Sequence, residues 1–277
     1  MLNQKRSAFS SYLTELLSDG RVVFTASEAQ DALGISAGAL LDAAERQQKR
    51  KHLIKPRRGF YVIVPPQFHR WGAPPPSWYI HELMMHSGRP YYVGLLTAAE
   101  LHGASHQAAM EFQVITDRQM GAIRAGRSNI VFRYRKDMEG IADGIQQRKT
   151  DTGRMKISGV ELTALDLLRY PRATGGLDHI AAVLADLGKS IDPERLARLS
   201  GAFERSVAQR LGHLLERLGH GERAGALHDA LTRGGEMFWV ELDPQEGVEQ
   251  DFSSAVAERD ERWRIKVRRP PEPDIYI

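Results

Sequence analysis

Seven lysines and arginines fall between residues 46 and 58 with no acid among them: Arg46, Lys49, Arg50, Lys51, Lys55, Arg57 and Arg58. Cations at that density suit a polyanion, because each can neutralise a phosphate and release its counterion. The bland alternative is a solvated helix face leading into the apolar run 60–64. Two other groupings invite chemistry. His102 and His106 stand four apart, the spacing that puts two metal ligands on one helix face, but Gly103 between them reads as a helix stop and spoils that geometry. Glu161 and Asp166 are a candidate pair of catalytic carboxylates. Five residues apart on a helix, they point about 140° from each other and do not easily share a substrate. Structural readings fit both groupings better: hydrogen-bonded histidines, a capping box from Ser158 to Glu161, and an Asp166–Arg169 pair. No phosphate loop, nucleophile elbow, HExxH or dinucleotide fingerprint appears. The expectation is a protein that is no enzyme and needs no metal or cofactor.

The cationic stretch needs a scaffold, and the first seventy residues supply one. Phe9, Leu13, Leu16 and Leu17 recur at helical spacing and predict a helix over 7–18 ending near Gly20. Thr25 and Glu28 form a capping box that starts a second helix, which stops at Gly34. Ser36 caps a third, with Ala37, Leu40, Leu41 and Ala44 on its buried side. Leu53–Lys55 and Phe60–Val64 then read as two strands joined through Pro56-Arg57-Arg58-Gly59. Three helices and a hairpin make a winged helix, which lays its third helix in the major groove while wing cations reach phosphate or the minor groove. Ser36, Gly38 and Ala39 are small residues at the start of that helix and permit close approach. Asp42 and Arg46 share its face and can read base edges. Lys49, Arg50, Lys51, Lys55, Arg57 and Arg58 are expected to bind phosphate. Winged helices also serve as protein-binding modules, so the pattern alone leaves that use open.

Charge supports the nucleic-acid reading. Residues 1–69 hold ten Lys/Arg and six Asp/Glu, a balance of +4, while the whole 277-residue chain is +3. The length suggests about two domains. With 42% hydrophobic and 26% charged residues the chain is an ordinary globular one, and without cysteine it has neither disulfides nor thiolate metal sites. No apolar run is long enough to span a membrane, and the N-terminal segment is a poor signal peptide, so a cytoplasmic location and no membrane partner are expected.

Prolines 74–76 favour an extended spacer, which places a winged-helix domain at 1–70, a linker at 71–77 and a second domain at 78–277. There the pattern predicts helices at 78–87 and 91–102 and strands at 111–116, 129–135 and 155–158. Several helices follow over about 160–233, with strands near 237–242 and 262–268. The class is mixed α+β: a winged helix, then a larger α/β domain with a small sheet and a helical bundle segment. In the last strand Arg262, Arg264, Lys266 and Arg268 alternate with Trp263, Ile265 and Val267. Either it is an edge strand guarded by charge or a second surface for a polyanion or acidic partner.

The runs "YYVGLLTAAELHGASHQ" (91–107), "FQVIT" (112–116) and "SGVELTALDLL" (158–168), with Arg58-Gly-Phe-Tyr61 in the wing, resemble the AbiEi antitoxins of AbiE abortive-infection, type IV toxin–antitoxin systems. Tyr92, His102, Gly103, His106, Gln107, Glu161 and Asp166 fall in those runs, with structural or antitoxin roles. Gly159-Val160 departs from the small residue and proline expected there, which leaves the helix start intact. The resemblance implies a repressor that binds double-stranded DNA at inverted repeats in its own operon. It also implies a C-terminal domain that opposes a nucleotidyltransferase-like toxin, without requiring direct contact. The alternative from another class is a DNA-tethered, metal-dependent nuclease or hydrolase with its active site beyond residue 78.

Overall fold

A computed structural model of the chain describes residues 2–104, 110–243 and 258–272. The class is α+β, and the chain packs as two compact units. Unit 1 comprises Met1–Tyr92, Met110–Lys136 and Gln147–Lys156; unit 2 comprises Val93–Ala109, Asp137–Gln146 and Ile157–Ile277.

Unit 1 begins with the expected winged helix: α1 (Leu2–Ser18), β1 (Val23–Thr25), α2 (Ala26–Leu33), α3 (Ala37–Lys49), β2 (Leu53–Arg57) and β3 (Phe60–Ile63). Phe9, Leu13 and Leu16 are buried as their spacing requires. At the start of α2 the Glu28 amide donates to Thr25 Oγ1 at 3.2 Å and the Thr25 amide to Glu28 Oε2 at 2.7 Å, the reciprocal cap expected from the sequence. Gly34 ends the helix at φ 60°, a conformation that favours glycine. The three strands lie in the order β1-β3-β2, with β3 antiparallel to both neighbours. Phe24 on β1 stacks on its cross-strand partner Tyr61 at 5.2 Å and ties the wing to the helical core.

The rest of unit 1 is α4 (Ile80–His86) and most of a six-stranded sheet: β4 (Tyr91–Val93), β5 (Phe112–Thr116), β6 (Ile123–Ala125), β7 (Ser128–Tyr134), β8 (Ile145–Thr150) and β9 (Gly153–Ser158). Its order is β6-β7-β5-β4-β9-β8, with β5 parallel to β7 and β6 antiparallel to it. The helix expected over 91–102 starts late. Tyr91, Tyr92 and Val93 are a buried aromatic and β-branched run that suits a strand, and Gly94 separates it from the helix. The proline segment lies inside unit 1, where Ala73, Pro74 and Pro76 are buried. Trp78 Nε1 donates to Asp151 at 2.8 Å, and Thr152 Oγ1 to the Trp78 carbonyl at 2.7 Å. Proline has no amide donor to satisfy, so an extended stretch of it can be buried at little polar expense.

Unit 2 is mainly helical: α5 (Leu95–Leu101), α6 (Val160–Arg169), α7 (Leu177–Leu187), α8 (Pro193–Ser200), α9 (Arg205–Arg217) and α10 (Gly221–Arg233). Residues 161–168 of α6 are all buried, which makes it the central helix. A small sheet of β10 (Val240–Glu241), β11 (Glu258–Asp260) and β12 (Ile265–Val267) follows, in the order β10-β12-β11. Trp263 is fully buried, and its ring lies where a side chain on Gly212 of α9 would sit.

Candidate nucleic-acid interface

Ser36 caps α3, accepting the Ala39 amide on Oγ at 3.3 Å. Burial of Leu40, Ala43, Ala44 and Gln47 turns the opposite side of the helix outward, so Ser36, Gly38, Asp42 and Arg46 are exposed and Ala39 is half-buried. Ala37 and Leu41, expected on the buried side, are both exposed, Leu41 to 51% on that outer face. An apolar side chain there suits contact with a thymine methyl. The helical repeat from Gly38 through Leu41 and Asp42 to Glu45 would have located it. Glu45 and Lys49 pair at 2.8 Å, and the Lys49 hydrogen bond holds the Glu45 carboxyl below its usual range. Lys49 is therefore shared with an acid.

The other cations are freer. Arg46, Arg50, Lys51 and Arg58 are exposed and form no salt bridge among the described residues, although Arg46 lies close enough to Glu45 to help lower its pKa. Arg46 and Arg50 border an open hollow of about 240 Å3 with Phe9, Ser10, Ala43 and Gln47. Lys55 is exposed too, its ammonium 5.7 Å from the centre of the Tyr61 ring. Lys51 closes the C-terminal turn of α3 at φ 61°. There the Lys51 amide donates to Gln48 at 2.9 Å and the His52 amide to Gln47 at 3.0 Å, a pattern that usually carries glycine at this position. His52 stacks on His69 at 4.7 Å, and burial, then His69 and Arg50, push its pKa below the usual value.

At the wing, Pro56 cannot donate to the ladder, and the register shifts between Ile54 and Arg57. Gly59 makes the turn at φ 74°, its carbonyl accepts the Ala26 amide at 2.8 Å, and His86 Nε2 donates to the Arg58 carbonyl at 3.0 Å. Arg57, also expected to bind phosphate, has partners within the protein. Its guanidinium donates to the Gly121 carbonyl at 2.7 Å and lies 5.6 Å from the centre of the Phe132 ring, and burial lowers its pKa. It braces the wing, leaving Lys55 and Arg58 as the wing cations facing solvent.

Charge divides by unit more sharply than by position along the chain. Unit 1 holds 22 Lys/Arg against 10 Asp/Glu, a balance of +12, and unit 2 holds 16 against 25, a balance of −9.

Two family models match this arrangement: the transcriptional regulator, AbiEi antitoxin, over residues 11–64, and the AbiEi antitoxin C-terminal domain over residues 92–217. The chain belongs to the AbiEi antitoxin family. The fold is also that of the crystal structure of the Rv2827c protein from Mycobacterium tuberculosis. That match has a TM-score of 0.65 and 17% identity, and it covers 93% of this chain and 90% of that one. No curated protein matches the chain.

Of the family-motif residues, Tyr92, Glu161 and Asp166 are buried, His102 is half-buried and Gly103 is exposed. Tyr92 is fully buried. His102 donates from Nε2 to the Ser158 carbonyl at 2.8 Å, and Gly103 ends α5 at φ 77°. His106 and Gln107 lie outside the described residues. The capping box expected from Ser158 to Glu161 does not form. Gly159 is the cap, its amide bonded to the Gly144 carbonyl at 2.7 Å, while Ser158 Oγ pairs with Thr163 Oγ1 at 2.6 Å. Glu161, only 4% exposed, accepts the Asp192 amide at 2.9 Å and lies 3.7 Å from Arg195. Asp166 is fully buried, and Arg169 reaches Glu204 at 2.9 Å. Among the described residues no three His, Asp or Glu side chains group as a metal site, and no helix is long and apolar enough to cross a membrane.

The basic strand near the C-terminus is not an edge: β12 is the middle strand of its sheet. Trp263, Ile265 and Val267 are buried as their alternation requires. On the other side Arg262 pairs with Glu216 at 2.8 Å, Arg264 with Glu261 at 2.6 Å and Arg268 with Glu241 at 3.2 Å, while Lys266 is half-buried. Three of the four cations expected to form a second basic surface are matched by local acids.

Proposed function

We propose that this AbiEi-family regulator represses its own operon by binding inverted repeats in double-stranded DNA. The exposed face of α3 enters the major groove, and Arg50, Lys51, Lys55 and Arg58 hold phosphates beside it. The observation that carries this reading is the set of exposed, acid-free cations running from the end of α3 into the wing, next to a helix start bare of bulky side chains. Residues 1–70 act as the DNA-binding part. The C-terminal part, in which Glu161 and Asp166 are buried, opposes a nucleotidyltransferase-like toxin without catalysis of its own, and the protein works in the cytoplasm.

The test scores two phenotypes in one strain. The full chain carrying Lys55→Ala with Arg58→Ala should fail to repress a reporter driven by its operon, yet still relieve the growth arrest caused by the cognate toxin when supplied from another promoter. Against duplex DNA, the unaltered protein should show log K falling with log salt at a slope of roughly −4 to −6, and the double variant a slope shallower by about 2. A slope near zero for the unaltered protein rejects the interface. Loss of protection whenever repression is lost rejects the two-part reading and leaves a repressor that protects only by silencing its operon.

A further inference from the structure

Outside the winged helix, unit 1 carries a second concentration of positive charge that is scattered in the sequence and gathered by the sheet. Residues 110–136 contain six Lys/Arg and two Asp/Glu. Of these, Arg118, Arg124 and Arg127 are exposed and have no side-chain partner among the described residues. The nearest acid in sequence, Asp117, lies 3.6 Å from Arg89. On β6, Arg124 stands outward between the buried Ile123 and Ala125.

This hairpin is fixed to the wing. β6 packs beside β2, the Gly121 carbonyl just before it accepts the Arg57 guanidinium at 2.7 Å, and Phe132 on β7 underlies the same guanidinium. The far end is held as well. Gly126 turns the hairpin at φ 58°, and any side chain there would strike the Trp71 carbonyl, which accepts the Arg127 amide at 3.0 Å. Three exposed cations thus lie on or just before a hairpin that is held to the wing at one end and to Trp71 at the other. Guarding a sheet edge against other strands is the usual work of charge on a strand such as β6. Here two of the three cations, Arg118 and Arg127, sit outside the strand.

We infer that the β6–β7 hairpin extends the DNA-binding surface beyond the wing, with Arg118, Arg124 and Arg127 holding duplex phosphates. The inference rests on the DNA-binding reading of α3 and the wing. These contacts go to the backbone, so they add affinity for any sequence and no base preference.

The test measures binding of the full chain to a duplex of roughly 30 base pairs and arbitrary sequence, across a range of salt concentrations. Replacing Arg118, Arg124 and Arg127 together by Gln keeps the apolar stems and should flatten the log–log salt slope by about 2 to 3, and it should weaken binding about tenfold or more near physiological salt. Arg124→Glu alone should weaken binding further than Arg124→Gln. Unfolding midpoints of the variants should stay close to that of the unaltered protein, which separates a binding loss from a folding loss. If the Lys55→Ala/Arg58→Ala variant loses affinity while the hairpin variants keep the original slope, the hairpin is outside the interface and only this inference fails. If neither set alters binding, the DNA-binding reading itself fails. An unchanged slope with increased aggregation would identify the arginines as edge guards and overturn the inference.

Discussion

The two packing units use the same side chain in opposite ways. In unit 2 arginines are spent on the protein itself: Arg262, Arg264, Arg268 and Arg269 pair with Glu216, Glu261, Glu241 and Asp178, and Arg205 donates to the carbonyls of Leu231, Gly234, Gly235 and Glu236. In unit 1 Arg50, Arg58, Arg124 and Arg127 stand exposed without acid partners among the described residues. A cationic run is therefore no evidence of a ligand by itself. Residues 46–58 and 262–268 look alike in sequence, and what separates them is the supply of acids around them, −9 in one unit against +12 in the other. A balance of +12 in so small a body is unfavourable through self-repulsion and is relieved when a polyanion binds.

The hardest blow to this contrast would fall on Trp263. Its ring is fully buried against Gly212, and its amide donates to Asp260 Oδ1 at 3.0 Å, while His213 shares a 2.6 Å hydrogen bond with the other oxygen of that carboxylate. Trp263→Ala should lower stability by about 3–5 kcal/mol, and Gly212→Ala by about 1–3 kcal/mol through overpacking. Both losses belong to unit 2. Calorimetry should show them, while duplex affinity, measured where the variants remain folded, should not change. Loss of affinity in a folded Trp263→Ala protein would mean that DNA binding does not belong to unit 1 alone.

How far the sequence discloses such a structure depends on how local the signals are. The helices of the winged helix were legible because Thr25-x-x-Glu28, Gly34 and Ser36 act within one turn of themselves, and the wing because Arg58-Gly59 separates two apolar runs. The strand at 91–93 was hidden within a helical pattern, since three buried apolar residues fit either period. The cap at Ser158 was misread because the Gly159 amide meets Gly144, a partner that spacing cannot reveal. The internal partner of Arg57 is hidden for the same reason: its acceptor, Gly121, is 64 residues away. Arg124 and Arg127 escaped notice because only the sheet brings them to the wing, although the excess of cations over acids in 118–136 was present as a signal.

A smaller effect is expected at Glu161, where the choice between a structural and a catalytic carboxylate can be measured. Removing the side chain leaves the Asp192 amide without its buried acceptor and Arg195 without its ion pair, which should cost about 1–3 kcal/mol. Glu161→Gln keeps one acceptor oxygen and should cost less than Glu161→Ala in chemical denaturation. Neither should affect turnover, because the purified protein should hydrolyse neither DNA nor nucleotides with magnesium or manganese present. Metal-dependent hydrolysis that vanishes in Glu161→Gln at unchanged stability would make unit 2 a catalytic domain and replace the proposal of an acidic, non-enzymatic partner to a basic reader.

The smallest effect, at Lys51, asks whether unit 1 gives up stability for its surface charge. A left-handed backbone disfavours a side chain by roughly 1–2 kcal/mol, and Lys51 adopts it at φ 61° in a turn where glycine is the usual choice. Lys51→Gly removes that strain but loosens the unfolded chain, which returns about 0.4–1 kcal/mol. The net gain should be about 0.5–1 kcal/mol, read from denaturant midpoints at unchanged slope. Lys51→Asn tolerates the same backbone without glycine's extra freedom and should gain at least as much. Either variant should bind duplex DNA a few-fold more weakly, with a salt slope shallower by about 1. A more stable protein that binds less well would show a cation kept in a glycine position for the sake of the ligand. A variant that gains stability and keeps its full salt slope would place Lys51 outside the interface and leave Arg50, Lys55 and Arg58 as its phosphate contacts.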